Sequence, residues 1–203
     1  MKAVLLLSGG FDSPVAGRML LRQGVGLEAL HGSFEPVTDD ASVRKAEVLA
    51  RQLGLKRLWV AKIGEALGKV PHDKDAHHYY FLLQKRLLYR LAERLADEVK
   101  ADAIATGENL AQVSSQTLSN LVTLEQAAQR PVLRPLLGLD KADILRLAKE
   151  WGTYETSVGP ELCDILGPKH PATRSDPAAV AQAEARVGLD VREALPRVEE
   201  IAL

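Results

Sequence analysis

Short apolar runs at residues 3–7, 27–30, 58–63 and 103–105, with a weaker fifth at 132–133, are separated by amphipathic stretches. Near-continuous apolar runs of this length suit strands buried on both faces, so they predict a parallel sheet covered on each side. One helical pattern covers residues 14–23 and ends at Gly24. A second runs from about 39 to 53, placing Val43, Ala46, Leu49, Ala50 and Leu53 on one face with Gly54 beyond, and a longer third spans roughly 76–99. Strand and helix in steady alternation predict an α/β fold: a doubly wound, mostly parallel five-stranded sheet with helices on both faces. Such sheets take ligands at the carboxyl ends of their strands.

After Thr153 the pattern breaks into TYETSVGPELCDILGPKHPATRSDP, and two short helical patterns follow up to Leu203. The expectation is one domain over residues 1–176 and a short helical C-terminal extension of it over 177–203. No internal repeat or low-complexity segment divides the chain. At 203 residues and 46% hydrophobic, it is long enough for one well-buried core. Lys+Arg of 26 against Asp+Glu of 27 leaves a net charge of -1, so no global basic field draws it to nucleic acid or anionic lipid. The apolar start is too short for a secretory signal and no run approaches a membrane span, so a soluble, cytoplasmic protein is expected. A lone cysteine, Cys163, excludes an intrachain disulfide and a cysteine-built metal cluster within one chain.

The first apolar run stops at SGGFDS, residues 8–13, where strand one gives way to helix one. Ser13 is placed to cap that helix and Pro14 to begin it. Gly9 and Gly10 lack a Cβ, so the backbone can approach an anion closely, while Ser8 and Ser13 add hydroxyls and the helix N-terminus adds positive potential. A polyphosphate fits this description. The pattern is neither GxxxxGK[ST] nor GxGxxG, and the bland alternative is a serine-capped glycine turn.

SGGxDS resembles the PP-loop of the ATP pyrophosphatases, which have the HUP-like α/β fold. Two further stretches, ATGENLAQVSSQTLSNL at 105–121 and RPLLGLDKADILRLAKEWGTYETS at 134–157, resemble the tRNA 4-thiouridine synthetase family. So do LHGSFEPVTDDASVRKAEVLA, FLLQKRLLYRLAERLA and ELCDILGPKHPATRS, and the likeness covers residues 1 to about 176. The resemblance implies that ATP, with Mg²⁺, adenylylates a uracil carbonyl oxygen of tRNA, which sulfur then replaces; the family also has a thiamine-pathway association. It implies catalytic roles for Asp12, Lys141 and Cys163. It implies ATP contacts from Ser8, Gly9, Gly10, Phe11, Asp12, Ser13, His31, Phe34, Gly107 and Gln112. Arg86, Lys169 and Arg174 become candidate tRNA contacts, against the reading of solvated helix charge.

Several of these residues have a structural alternative. Gly107 could be a strand-ending turn, His31 a satisfied buried histidine, and Cys163 a small buried hydrophobe whose neighbours Glu161 and Asp164 would raise its pKa. Asp140 reads as an N-cap beside a functional Lys141. His77 and His78 project about 100 degrees apart on a helix, a poor metal pair, and no metal site is expected.

The family also carries a THUMP-type tRNA-binding region, and some members a rhodanese domain, neither of which is found in these residues. The expected partners are therefore tRNA, a separate THUMP-type protein that supplies tRNA affinity, and a cysteine desulfurase or sulfide as the sulfur source. The resemblance also implies a homodimer. Two other readings stay open: a PP-loop adenylylating enzyme that uses ammonia, an amine or another substrate, which would not need Cys163, and a nucleotide-binding subunit without transfer chemistry.

Overall fold

In a computed structural model, residues 1–110, 112–159 and 166–203 are described. The strands are β1 (Lys2–Leu6), β2 (Gly26–Ser33), β3 (Arg57–Lys62), β4 (Ala103–Ala105), β5 (Val132–Leu133) and β6 (Val198–Ala202). They form one six-stranded sheet in the order β5-β4-β1-β2-β3-β6, parallel apart from β6, which runs antiparallel to β3. The helices are α1 (Asp12–Arg22), α2 (Ala41–Gln52), α3 (Gly64–Leu67), α4 (Lys74–His78), α5 (Tyr80–Val99), α6 (Leu118–Glu125), α7 (Lys141–Glu150), α8 (Tyr154–Ser157), α9 (Pro177–Arg186) and α10 (Val191–Ala194).

The apolar runs are continuous because their residues serve two faces in turn. Ala3, Leu5, Leu7, Ala29, Leu58, Val60, Ala103 and Ala105 pack toward α1 and α2, meeting Leu20, Val43, Ala46, Leu49 and Ala50. Val4, Leu30, Trp59, Ala61, Ile63 and Ile104 pack on the opposite side against Leu83, Leu87, Leu91 and Leu95 of α5. Fully burying each large side chain contributes about 1.5–3 kcal/mol, so the two faces are the main source of stability. A smaller cluster, Val15, Ala16, Leu136, Ile144 and Ala148, seats α7 on α1.

Three local expectations are corrected. The long helix is two, α4 and α5, with Tyr79 between them. Helix α1 begins at Asp12, so Ser13 lies inside its first turn and its hydroxyl turns back to the loop instead of capping. The C-terminal extension contains helices, as its sequence predicts, but ends in β6, a sixth strand. Two adjacent glutamates hide that strand from a periodicity reading. On the sheet edge they pair across to β3, Glu199 with Lys62 at 3.1 Å and Glu200 with Arg57 at 3.6 Å, while Val198 and Ile201 pack against the two cores.

Two buried ionic groups tie the helical layer to the sheet. Arg86 is 4% exposed: its Nη2 and Nε donate to Glu184 Oε2 of α9 at 3.0 and 3.2 Å, and its Nη1 to the Thr123 carbonyl of α6 at 2.7 Å. Its guanidinium is therefore spent inside the protein, and it is a helix clamp where the sequence suggests a tRNA contact. The second group is the carboxylate of Glu108, just beyond β4. It accepts from Lys85 Nζ at 3.0 Å, Tyr89 Oη at 2.5 Å, Arg134 Nε at 2.9 Å and Thr106 Oγ1 at 3.3 Å. Burial pushes its pKa up, but Lys85, Tyr89 and Arg134 outweigh that and hold it down to about 2. Burial and the Glu108 charge together keep the Tyr89 phenol protonated far into the alkaline range.

A carboxyl whose pKa falls from 4.5 to about 2 on folding contributes stability above pH 4.5 that is lost as pH drops through about 2. The advantage of wild type over Glu108→Gln in urea unfolding should follow that window, greatest at neutral pH and vanishing in strong acid. Arg86→Ala leaves Glu184 paired with Arg90 but strands the Thr123 carbonyl and should cost about 1–3 kcal/mol, whereas Glu184→Gln, which leaves the Arg86 charge buried, should cost about 3–5 kcal/mol in the same assay.

Candidate functional site

Strand β1 has β2 on one side and β4 on the other, and the connections from β1 to β2 and from β4 to β5 run in opposite directions. At that switch point lies a cavity of about 1290 Å³. It exceeds the roughly 300–1,000 Å³ typical of small-molecule sites, leaving room for a nucleotide and a second reactant. Ser8, Gly9, Gly10, Phe11, Asp12, Ser13, His31, Phe34, Gly107, Gln112 and Lys141 all line it. Lys169 and Arg174 are exposed away from the lining, and Arg86 is buried as described. Cys163 lies outside the described residues; Val158, Gly159 and Pro168 on either side of it line the cavity.

The loop between β1 and α1 is pinched shut by its serines. Ser8 N–H donates to Ser13 Oγ at 2.8 Å, the two hydroxyls are 3.1 Å apart, and Gly10 N–H donates to Ser8 Oγ at 3.2 Å. The first residues of α1, whose N–H groups have no intrahelical acceptor, line the cavity. Helix α7 brings a cation to the same place: Asp140 caps it by accepting from Asp143 N–H at 2.8 Å, and Lys141 begins it. Lys141 Nζ lies 2.7 Å from Asp12 Oδ1 and 5.7 Å from the Phe11 ring centroid. The Lys141 side chain is 47% exposed, so this pair is worth about 1 kcal/mol or less and opens readily to a competing anion.

The rim from β4 meets the loop with no side chain between them. A Cβ on Gly107 would stand 2.5 Å from the Ser13 nitrogen and 2.6 Å from the Asp12 carbonyl carbon. Gly107 is thus required by a backbone contact and is more than a turn residue. His31 is buried, with Nδ1 2.9 Å from the Leu7 carbonyl and Nε2 3.2 Å from Ser42 Oγ. A carbonyl only accepts, so Nδ1 carries the proton and Nε2 accepts from Ser42, and burial keeps the ring neutral. His31 therefore fastens β2 to the end of β1 and the start of α2. Phe34 is 4% exposed and forms part of the cavity floor. Gln112 Nε2 is buried beside the cavity without a hydrogen-bond partner.

Sequence reading missed Lys45, Lys85, Glu108 and Gln116, all of which line the cavity. Phe81, Gln84, Lys85 and Leu88 follow the i, i+3, i+4, i+7 spacing of one helix face, a signal that separates Lys85 from the neighbouring Arg86. His77 and His78 hold a chain segment: they bond the carbonyls of Leu166 at 3.0 Å and His170 at 3.1 Å. That contact brings Pro168 and Pro171 to the cavity wall. Among the described residues no cluster of three His, Cys, Asp or Glu could hold a metal ion unaided, and no helix is long and apolar enough to cross a membrane.

Residues 1–189 match the family profile described as thiamine biosynthesis protein (ThiI). A "Probable tRNA sulfurtransferase" from Nocardia farcinica is 42% identical over 97% of this chain and 50% of its own length. A relative so described from Thermotoga maritima is 41% identical over 92% of this chain and 50% of its own. The crystal structure of a 4-thiouridine synthetase–RNA complex with bound ATP superposes with a TM-score of 0.90 at 38% identity, covering 100% of this chain and 55% of that one. The NMN synthetase of Francisella tularensis, at 17% identity and a TM-score of 0.60, shares the fold. The chain spans about half the length of the curated relatives it matches. Because the match runs through the loop, through the rim that touches it and through the helix that brings Lys141, the chain belongs to the ThiI family.

Proposed function

We propose that the cavity binds ATP and that the chain is the adenylylating half of a tRNA sulfurtransferase that forms 4-thiouridine. The observation that carries this reading is the 2.7 Å contact of Lys141 with Asp12 above the SGGFDS loop, made across 129 positions of sequence. It joins an anion-binding helix start, a displaceable cation and a carboxylate in one place. In this reading the phosphates lie over the loop N–H groups and Ser8, Gly9, Gly10 and Ser13, with His31, Phe34, Gly107 and Gln112 shaping the nucleoside end.

Lys141 leaves Asp12 for a phosphate oxygen, exchanging one charge-assisted partner for another that carries more negative charge. The uracil carbonyl oxygen attacks the α-phosphorus as the α–β bridging bond breaks, and its electron pair departs on pyrophosphate. The adenylylated oxygen is then a good leaving group: hydrosulfide adds to the carbon, AMP leaves with the oxygen, and a proton is released. The donor set fits Mg²⁺, because Asp12 with phosphate oxygens and water meets this ion's preference for one or two carboxylates, and the bound ion would neutralise phosphate charge. Cys163 is proposed to receive sulfane sulfur from a cysteine desulfurase as a persulfide, from which an external thiol reductant releases hydrosulfide, the reductant leaving as its disulfide and Cys163 returning to the thiol. Lys169 and Arg174 are proposed tRNA contacts, with further affinity from a THUMP-type partner and from homodimerisation, in the cytoplasm.

The test is pyrophosphate release from ATP with bulk tRNA and sulfide, followed by mercury-gel detection of thiolated tRNA. Wild type should do both. Lys141→Met and Asp12→Asn should each lower the rate by about 10²–10³. Gly107→Ala should lose ATP binding, since the loop backbone has to move. Cys163→Ser should keep pyrophosphate release and lose thiolation from desulfurase-delivered sulfur. Absence of both products from wild type would overturn the proposal.

A further inference from the structure

We propose that Lys45 is a further catalytic residue of this site, the cation that takes the charge of the departing pyrophosphate. The inference rests on the adenylylating function proposed above. Among the described residues, Lys45, Lys85 and Lys141 are the lysines that line the cavity. Two are already neutralised: Lys85 Nζ is 3.0 Å from Glu108 Oε1 and Lys141 Nζ is 2.7 Å from Asp12 Oδ1. Lys45 Nζ instead donates to a main-chain carbonyl, that of Ser157, at 3.0 Å, and no carboxylate among the described residues lies within ion-pair distance of it. Among the described residues, it is the lysine of this lining without a carboxylate partner.

Its position is set by the loop itself. A Cβ on Gly9 would come within 3.0 Å of Lys45 Cδ, so the side chain lies against the first glycine of the loop. Ser157, which holds the ammonium, also donates its hydroxyl to the Gly10 carbonyl at 3.4 Å. Lys45, Ser157 and both loop glycines are therefore one packed unit. The SGGFDS loop carries no cation of its own, in contrast to phosphate loops that contain a lysine. As the α–β bond breaks, negative charge grows on the pyrophosphate. Exchanging a neutral carbonyl for that anion strengthens the Lys45 hydrogen bond in the transition state, when the charge appears.

Isothermal titration of wild type, Lys45→Met and Lys45→Arg with pyrophosphate and separately with AMP tests this, together with steady-state pyrophosphate release. Lys45→Met should weaken pyrophosphate binding and lower kcat by about tenfold or more, while AMP binding changes by less than about twofold. Lys45→Arg should restore a large part of both. Equal loss of AMP and pyrophosphate binding in Lys45→Met, with no rescue by Lys45→Arg, would show a packing role and overturn the proposal. So would Lys45→Met that binds pyrophosphate as wild type does. If wild type binds pyrophosphate in a Lys45-dependent way yet yields no pyrophosphate with tRNA and sulfide, the acceptor is wrong and Lys45 stands. If wild type binds neither ligand, both readings fall.

Discussion

The site depends on a contact between two pieces of backbone. The turn after β4 touches the first residues of α1 at Gly107, closer than any side chain allows. That contact fixes the loop from one side, and the Ser8–Ser13 bonds fix it from within. The sheet supplies the leverage, because β1 and β4 pair in register from Ala3 with Ala103 to Leu5 with Ala105, only a few residues before the contact. A rigid parallel pair thus delivers two loops to the same point. Preorganised donors are where electrostatic stabilisation is most effective.

Beneath that contact lies a layer of buried charge. Glu108, one residue beyond Gly107, is held by a strand-end arginine and by a lysine and a tyrosine of α5, so the rim, the sheet and the long helix share one carboxylate. One helical turn along, Arg86 couples α5 to α6 and α9. These groups cost desolvation and return little net stability when complete. What they provide is geometry: each demands partners at fixed distances, and a cavity wall built from helices of separate origin then has one arrangement.

Much of this was legible in the amino-acid sequence. Five strands follow from apolar runs because both sheet faces are covered, and the SGGFDS loop follows from glycines and serines that no core could use. Legibility failed where one dimension cannot hold the information. Arg86 and Lys85 are adjacent in sequence, yet one is inside and the other lines the cavity, and only the phase of α5 separates them. Lys45 sits in an ordinary amphipathic helix, and nothing local marks it as facing the loop. The work of His77 and His78 on the carbonyls of Leu166 and His170 is tertiary and leaves no local signal. The strand Val198–Ala202 was hidden by Glu199 and Glu200, whose partners are supplied by β3.

That last strand also bears on how the chain meets other molecules. An open sheet edge is a template on which a foreign strand can add, and β6 occupies the long edge that β3 would otherwise present. It lines that border with charged side chains, Glu199 and Glu200 paired with Lys62 and Arg57, and charge along an edge discourages strand addition. The opposite border, β5, is two residues long, too short to guide an incoming strand. Both flanks of the sheet are therefore poor docking rails for another β-strand.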